Sequence, residues 1–288
     1  MRFVAAAILA LAGALPALAQ QNYLWEVASP SNRVYLYGTV HAGKKEWYPL
    51  NRAVEDAFTE SRVLVVEADI LDGAKMTASA KAMAYEPPDS LRQNVPGIDY
   101  QRFLKLLPRY QIPEATVSKM KPFIAVSLLV FAEWARAGYL PELSVDAYFI
   151  RKAPMASKPV VELEGVEAQT RLMESLTDAD NRLIFEGTIT ALENGLTVEQ
   201  IEGLVDAWRK GDPARILQVA SKYNEGVAGA REFEEKSVSS RHDAMIAKIR
   251  DYVDSRERHF IAVGALHLAG PRGLVEQLRS LGYVVKQK

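Results

Sequence analysis

Apolar runs of strand length begin just beyond the first twenty residues of the chain. Residues 23–28 and 33–39 are rich in aromatic and β-branched side chains, and the turn-forming sequence Ser-Pro-Ser-Asn at 29–32 separates them. Two such runs around a short turn predict a β-hairpin. Alternation in the second run places Tyr35 and Tyr37 on the same face of that strand.

A helix and a buried strand are predicted next. Leu50, Val54 and Phe58 recur at the spacing of one helix face, and Asn51 is suited to cap the helix N-terminus. Residues 63–66 form an unbroken apolar run, which is typical of a strand buried on both faces. Strand, helix and strand at these separations predict a βαβ unit with a right-handed crossover.

Helical patterns occupy most of the remaining chain. Residues 73–155 are rich in alanine, methionine and leucine with scattered prolines, and they predict a helical insertion lying over the sheet. A strand pattern returns at 158–165, helical patterns fill 167–257, and strands at 259–264 and 282–287 flank a last helix. The chain is therefore expected to have an α/β fold with a largely helical middle region.

We interpret residues 20–288 as a single domain, because no segment has the length and composition of a linker. The insertion contains the strongly apolar stretch Phe123–Phe131, which is too short to span a bilayer. Two interpretations of this stretch remain open: an ordinary core helix, or a lid that faces lipid.

The first nineteen residues have the features of a secretory signal peptide. Arg2 precedes an apolar run that ends in the small-residue cleavage signature Ala17-Leu18-Ala19. We expect the mature chain to begin at residue 20 or 21, to be periplasmic or secreted, and to keep no stable membrane anchor. An uncleaved anchor is the alternative.

Composition narrows the possible chemistry. The formal net charge is −1, from 35 Lys and Arg against 36 Asp and Glu, and no basic block suggests a nucleic-acid partner. The chain has no cysteine, which excludes disulfides, thiolate nucleophiles and thiolate metal ligands. Any metal ion would have to be held by histidine, aspartate or glutamate.

Two of the four histidines occupy matching positions. His41 lies three residues after Gly38 at the end of one predicted strand, and His267 lies three residues after Gly264 at the end of another. Ligands of open α/β sheets gather beyond the carboxyl ends of the strands, so we expect the two imidazoles to meet there. The alternative is two unrelated loop histidines.

Four acidic residues also lie at the ends of predicted strands. Glu67 comes directly after the buried run at 63–66, with Asp69 as its rival, and Glu164 ends the strand at 158–165, with Glu162 on the same side. A carboxylate in such a position is costly unless it is paired or binds a metal ion. A helix cap or a surface carboxylate is the alternative for each.

The other two histidines have different surroundings. His242 shares an apolar helical stripe with Val238, Met245 and Ile249, which favours a hydrogen-bonded core histidine over a ligand. Its neighbour Arg241 is the better candidate for a functional cation, able to pair with a strand-end carboxylate or to stabilise an oxyanion. His259 begins its strand, so it is expected at the opposite end of the sheet.

Four short sequences together resemble the TraB/GumN family, which is related to the Tiki metalloproteases: YGTVH, VGALH, LVVEAD and SRHDAM, in residues 22–287. The resemblance implies a three-layer αβα fold around a mixed sheet. It also implies a site built from His41, His267, Glu67 and Arg241, with Glu164 as an accessory residue and Mn²⁺ or Co²⁺ as the metal. Many members have asparagine where this chain has His242, so the role of that residue is open.

These observations support one leading hypothesis and two alternatives. The leading hypothesis is an exported metal-dependent hydrolase, acting on peptides or proteins, whose divalent cation is bound by His41, His267 and Glu67. Glu67, Glu164 and Arg241 would assist catalysis, and Zn²⁺ also suits this donor set. One alternative is a non-catalytic exported protein that binds a ligand or a metal. The other is a metal-free esterase-like hydrolase with a histidine base.

Overall fold

The computed structural model of the chain describes residues 21–224 and 230–288. The expected signal peptide at residues 1–19 lies outside the described residues. The strands are β1 Leu24–Ala28, β2 Arg33–Thr39, β3 Val63–Val66, β4 Val160–Glu162, β5 His259–Gly264 and β6 Val284–Gln287. The α-helices are α1 Arg52–Glu60, α2 Gly73–Ala82, α3 Gly97–Leu106, α4 Glu114–Val117, α5 Pro122–Arg136, α6 Val145–Met155, α7 Val166–Glu174, α8 Asp178–Glu193, α9 Leu196–Arg209, α10 Pro213–Asn224, α11 Ala230–Ser237, α12 His242–Asp254, α13 Ala265–Leu268 and α14 Leu274–Ser280.

Within residues 21–224 and 230–288, the strands form one six-stranded sheet in the order β4-β3-β5-β2-β1-β6. Strands β2, β5, β3 and β4 run parallel, whereas β1 is antiparallel to both β2 and β6. The sheet is therefore mixed, and helices surround it. The three-layer α/β fold expected from the resemblance is confirmed.

The hairpin and the first βαβ unit form where the sequence predicted them. β1 and β2 pair antiparallel around the turn at 29–32, and the Asn51 side chain caps α1 by accepting a hydrogen bond from the Ala53 amide at 2.9 Å. β2 and β3 run in the same direction, but they are not neighbours, because β5 is inserted between them. This insertion brings the end of β5 between the ends of β2 and β3.

Aromatic packing fixes helices α1 and α6 on one face of the sheet. Phe58 of α1 and Phe149 of α6 contact each other with ring centroids 5.1 Å apart, and Phe149 lies 4.7 Å from Phe260 of β5. Tyr37 of β2 faces the same rings, 5.9 Å from Phe149. Burial of each such side chain contributes about 1.5–3 kcal/mol. The packing places the N-terminus of α6 over the end of β2.

The helical insertion only partly lies over the sheet. From that stretch, α6 contacts β3 and β4, whereas α3, α4 and α5 pack with α8 into a second core that contains no strand residue. The insertion therefore meets the sheet mainly through α6, while the apolar faces of α5 and α8 pack on each other.

The apolar helix α5 belongs to the second core. α5 buries Val126 and Leu129 in the second core. No helix in the described part of the chain combines the length and apolar character needed to cross a membrane.

The predicted stripe through Val238 is interrupted, because a 3₁₀ turn at Ser239–Arg241 intervenes and α12 begins at His242.

Candidate active site

The carboxyl ends of β2, β3, β4 and β5 meet at one edge of the sheet. Thr39 of β2 lies in register with Gly264 of β5, so His41 and His267 follow neighbouring strand ends. Glu67 directly follows β3, and the Glu164 amide donates to the Glu67 carbonyl at 3.0 Å. The structure thus brings together the strand-end side chains of His41, His267, Glu67 and Glu164.

Gly264 lies at the centre of this group. A methyl group on its Cα would lie 3.2 Å from Glu67 Oε1, 3.4 Å from His41 Nε2 and 3.6 Å from His267 Cδ2. The missing side chain leaves a small space that a carboxylate and two imidazoles surround. Gly38 differs, because a methyl group there would lie 2.2 Å from the Tyr23 ring. The first glycine accommodates an aromatic ring, and the second forms the site.

Asp146 of α6 orients His41. Its Oδ2 lies 3.1 Å from His41 Nδ1, and its Oδ1 accepts a hydrogen bond from the Thr39 hydroxyl at 2.7 Å. Asp146 is buried, whereas 61% of the His41 side chain is exposed to solvent. The pair leaves His41 Nε2 directed toward Gly264. Asp146 was not predicted as a site residue, although Ser144 and the acidic first turn mark the N-terminus of its helix.

His242 contacts His267 in a comparable way. His242 Nε2 lies 2.9 Å from His267 Nδ1, and His242 Nδ1 lies 2.7 Å from the carbonyl oxygen of Arg272. Both rings are buried. His267 Nε2 faces Glu67 Oε1 at 3.6 Å. His242 is therefore the buried, hydrogen-bonded histidine that its apolar stripe favoured, and it also supports the site.

Glu67 is held on both oxygens. Oε1 accepts a hydrogen bond from the Gly264 amide at 2.5 Å, while Oε2 accepts from Arg241 at 2.6 Å and from Gln169 at 3.2 Å. Arg241 also donates Nε to Glu164 Oε1 at 2.9 Å and forms a second hydrogen bond to the other Glu164 oxygen. The guanidinium thus bridges two strand-end carboxylates. No motif pointed to Gln169, which comes from α7.

The charges of the site follow from these contacts. Burial raises the pKa of Glu67, but the neighbouring His267 and Arg241 outweigh it and hold this pKa at about 2. Burial lowers the pKa of His267 to about 4 and also lowers the pKa of His242. At neutral pH the site therefore contains an ionised Glu67 beside two neutral imidazoles.

His41 behaves differently. Crowding by protein atoms lowers its pKa, but contact with the Asp146 carboxylate outweighs this and raises the pKa to about 9. Because most of the side chain is exposed, water moderates both effects, and the upward direction follows from the Asp146 contact. Without a bound cation, His41 carries a proton at neutral pH.

The remaining candidates have hydrogen-bond partners outside the central group. Glu162 accepts a hydrogen bond from the Asp69 amide at 2.8 Å and pairs with Lys75 on α2. The Asp69 carboxylate accepts from the Leu71 amide at 3.0 Å. His259 lies at the opposite end of β5, where its Nδ1 is 2.9 Å from the Glu257 carbonyl.

Comparison with known proteins places the chain in a family. The sequence pattern of the TraB/PrgY/gumN family matches residues 23–287. The chain belongs to this family. It is similar to the uncharacterized protein YbaP of Escherichia coli strain K12 and to that of Shigella flexneri. Each is 23% identical over 268 residues, which cover 91% of this chain and 96% of the relative. No solved structure matches the chain.

The donor atoms of this TraB-family site suit a divalent cation. Each strand-end imidazole has its Nδ1 occupied by an orienting partner. The Nε2 of His267 faces Glu67 Oε1, and the Nε2 of His41 faces Gly264. An imidazole fixed through one nitrogen is the arrangement usual for metal-binding histidines. Two nitrogens and one carboxylate oxygen fit Mn²⁺, Co²⁺ or Zn²⁺. Within residues 21–224 and 230–288, no three His, Asp or Glu side chains form a ready-made metal site. His41, the exposed member, has the most freedom to adjust.

Proposed function

We propose that this protein is an exported metal-dependent hydrolase that cleaves peptides or proteins. One observation carries the proposal: Glu67 Oε1, His41 Nε2 and the His267 ring lie 3.2–3.6 Å from the point where a side chain on Gly264 would begin. An oxygen of Glu67, a nitrogen of His41 and a ring carbon of His267, from three strand ends, thus surround the point where Gly264 has no side chain.

His41, His267 and Glu67 are the residues that would hold the cation. When bound, a divalent cation would supply Lewis-acid chemistry, polarising a substrate carbonyl and making a water molecule more acidic. Asp146 and His242 keep the two imidazoles in position through their Nδ1 atoms. The two imidazoles that would bind the cation are therefore oriented before the cation binds.

Arg241 and Glu164 set the charge around the ligand carboxylate. Arg241 is 15% exposed and donates to Glu67 and Glu164, so its positive charge favours the ionised form of Glu67. The same guanidinium would stabilise negative charge that develops on a substrate carbonyl oxygen bound beside it. Because Arg241 engages both oxygens of Glu164, we assign Glu164 to positioning the guanidinium.

Access and export complete the proposal. The exposed ring of His41 lies at the rim of the site, which allows a large substrate such as a peptide to reach it. The choice of peptide bonds rests on the resemblance to Tiki metalloproteases, and export rests on the signal-like residues 1–19.

A cleavage assay with metal control tests this function. Protein purified without chelator is incubated with a peptide library, then treated with EDTA, then supplied with Mn²⁺, Co²⁺ or Zn²⁺. We expect cleavage that EDTA removes and one of the metals restores. Cleavage untouched by EDTA would instead support the metal-free hydrolase with a histidine base.

One observation favours a second function, an exported metal- or ligand-binding protein without turnover. Arg241 and the Gly264 amide stabilise the ionised form of Glu67, whose pKa is held at about 2, so this carboxylate is a weak base for taking a proton from water. Stoichiometric metal without cleavage of any library peptide would favour this function.

A further inference from the structure

A line of hydrogen bonds runs from the protein surface into the candidate site. It begins at the carbonyl oxygen of Arg272, continues through both nitrogens of His242, and ends on His267 Nδ1. The other nitrogen of His267 faces Glu67 Oε1 at 3.6 Å. Each imidazole in this line has one donor and one acceptor when neutral, so fixing one proton fixes all the others.

The Arg272 carbonyl fixes the first proton. A carbonyl oxygen can only accept, so His242 Nδ1, 2.7 Å away, must carry hydrogen. The amide nitrogen of Gln277 donates to the same carbonyl at 2.7 Å and lies 3.5 Å from His242 Nδ1. Two donors therefore share this oxygen. An unprotonated Nδ1 would instead place two lone pairs in contact at 2.7 Å.

The second proton follows from the first. His242 and His267 are 3% and 4% exposed, and such burial disfavours a charged imidazole. A neutral His242 that donates through Nδ1 must accept through Nε2. His267 must then donate through Nδ1, 2.9 Å away, and its Nε2 is left without hydrogen.

We propose that His242 is a positioning residue that fixes the Nδ1–H tautomer of His267 and so presents the Nε2 lone pair to Glu67. Two atoms without hydrogen, His267 Nε2 and Glu67 Oε1, then face each other across 3.6 Å. Such a pair is repulsive by itself and attracts a cation or a proton donor. We call this line of hydrogen bonds, from the Arg272 carbonyl through His242 to His267, the relay. It therefore makes the site attract positive charge before any ligand binds.

The tautomer of His267 can be read in the metal-free protein by nitrogen-15 NMR. The chain has only four histidines, so four single variants assign every imidazole. We expect His267 to show a protonated Nδ1 and an unprotonated Nε2. A protonated Nε2 on His267 in the wild-type protein would overturn the proposal.

Variants at position 242 test whether His242 sets the tautomer of His267. His242→Phe keeps a ring but removes the acceptor, so His267 should change to the Nε2–H tautomer and donate to Glu67. His242→Gln retains an amide acceptor and should keep the wild-type tautomer. His259→Gln, at the far end of β5, is the matched control and should leave His267 unchanged. An unchanged tautomer in a folded His242→Phe would contradict the relay, and if that variant does not fold, the wild-type and His242→Gln spectra decide.

Metal affinity gives a second measurement. Loss of an orienting partner weakens metal binding about 10- to 100-fold, so we expect this loss of Mn²⁺ affinity in His242→Phe. His242→Gln and His259→Gln should bind Mn²⁺ close to the wild-type level, and equal affinity in all four proteins would contradict the relay. The tautomer is read without metal or substrate, so failure of peptide cleavage would count against the proposed hydrolase and leave this inference standing.

Discussion

Gly264→Ala should weaken metal binding while the protein stays folded. Gly264 has φ −51° and ψ 136°, a backbone conformation that alanine also adopts. The new methyl group would meet Glu67 Oε1, His41 Nε2 and His267 Cδ2 at 3.2, 3.4 and 3.6 Å. These are side-chain atoms around the candidate metal space, so the substitution fills that space and leaves the backbone of the sheet in place.

The magnitude follows from how far the neighbours can move. Without a cation, the exposed His41 ring can shift by the few tenths of an ångström that the methyl group requires. With a cation bound, ligand bonds of about 2.0–2.2 Å hold all three side chains. Overpacking of a rigid site costs about 1–3 kcal/mol. At 1.4 kcal/mol per tenfold, this corresponds to about 5- to 150-fold weaker metal binding.

Equilibrium dialysis against Mn²⁺ measures the metal affinity, and thermal unfolding shows whether the variant stays folded. Gly187→Ala is the matched control, because a methyl group at that position in α8 meets nothing within 4 Å. It should bind Mn²⁺ as the wild type does and gain about 0.5–1 kcal/mol of stability. Wild-type affinity in a folded Gly264→Ala would refute the reasoning that donors converge at Gly264.

Three further predictions follow from the charges of the site. In Asp146→Asn, the pKa of His41 should fall from about 9 towards its ordinary 6.5, as an NMR titration of the metal-free protein would show; an unchanged midpoint would contradict the role of Asp146. Mn²⁺ binding at pH 7 should release about one proton from His41, which calorimetry in buffers of different ionisation enthalpy detects. The pKa of Glu67 is lowered from 4.5 to about 2, so its ionised form stabilises the fold above pH 4.5 and this stabilisation is lost as pH falls to about 2. The wild type should melt at a higher temperature than Glu67→Gln, and this difference should shrink as pH falls across that range. A difference that stays constant would contradict the stabilising role of ionised Glu67.

The strands, and the candidate site residues at their ends, could be predicted from local sequence. An apolar run that ends in glycine and histidine is visible without any knowledge of distant contacts, and strand ends of an α/β sheet point to one edge. That is why His41, His267, Glu67 and Glu164 could be placed together before the fold was known. The family relationship expected from the same stretches is also confirmed.

The partners that orient these residues depend on long-range packing. Asp146 reaches His41 because Phe149, one turn later in α6, packs on Phe260 of β5. No local pattern reports that placement. The same holds for Gln169, which approaches Glu67 from α7. His242 looked like part of a continuous apolar stripe, but a break in the helix before it turns its ring toward His267.

The metal content of the purified protein tests the central claim most directly. Wild type, His41→Ala/His267→Ala and the control His259→Ala are purified without chelator, and their metal is quantified by inductively coupled plasma mass spectrometry. We expect a stoichiometric divalent metal in wild type and in His259→Ala, and none in the double variant. Wild-type metal stoichiometry in a folded double variant would contradict the claim that the two strand-end histidines hold a cation.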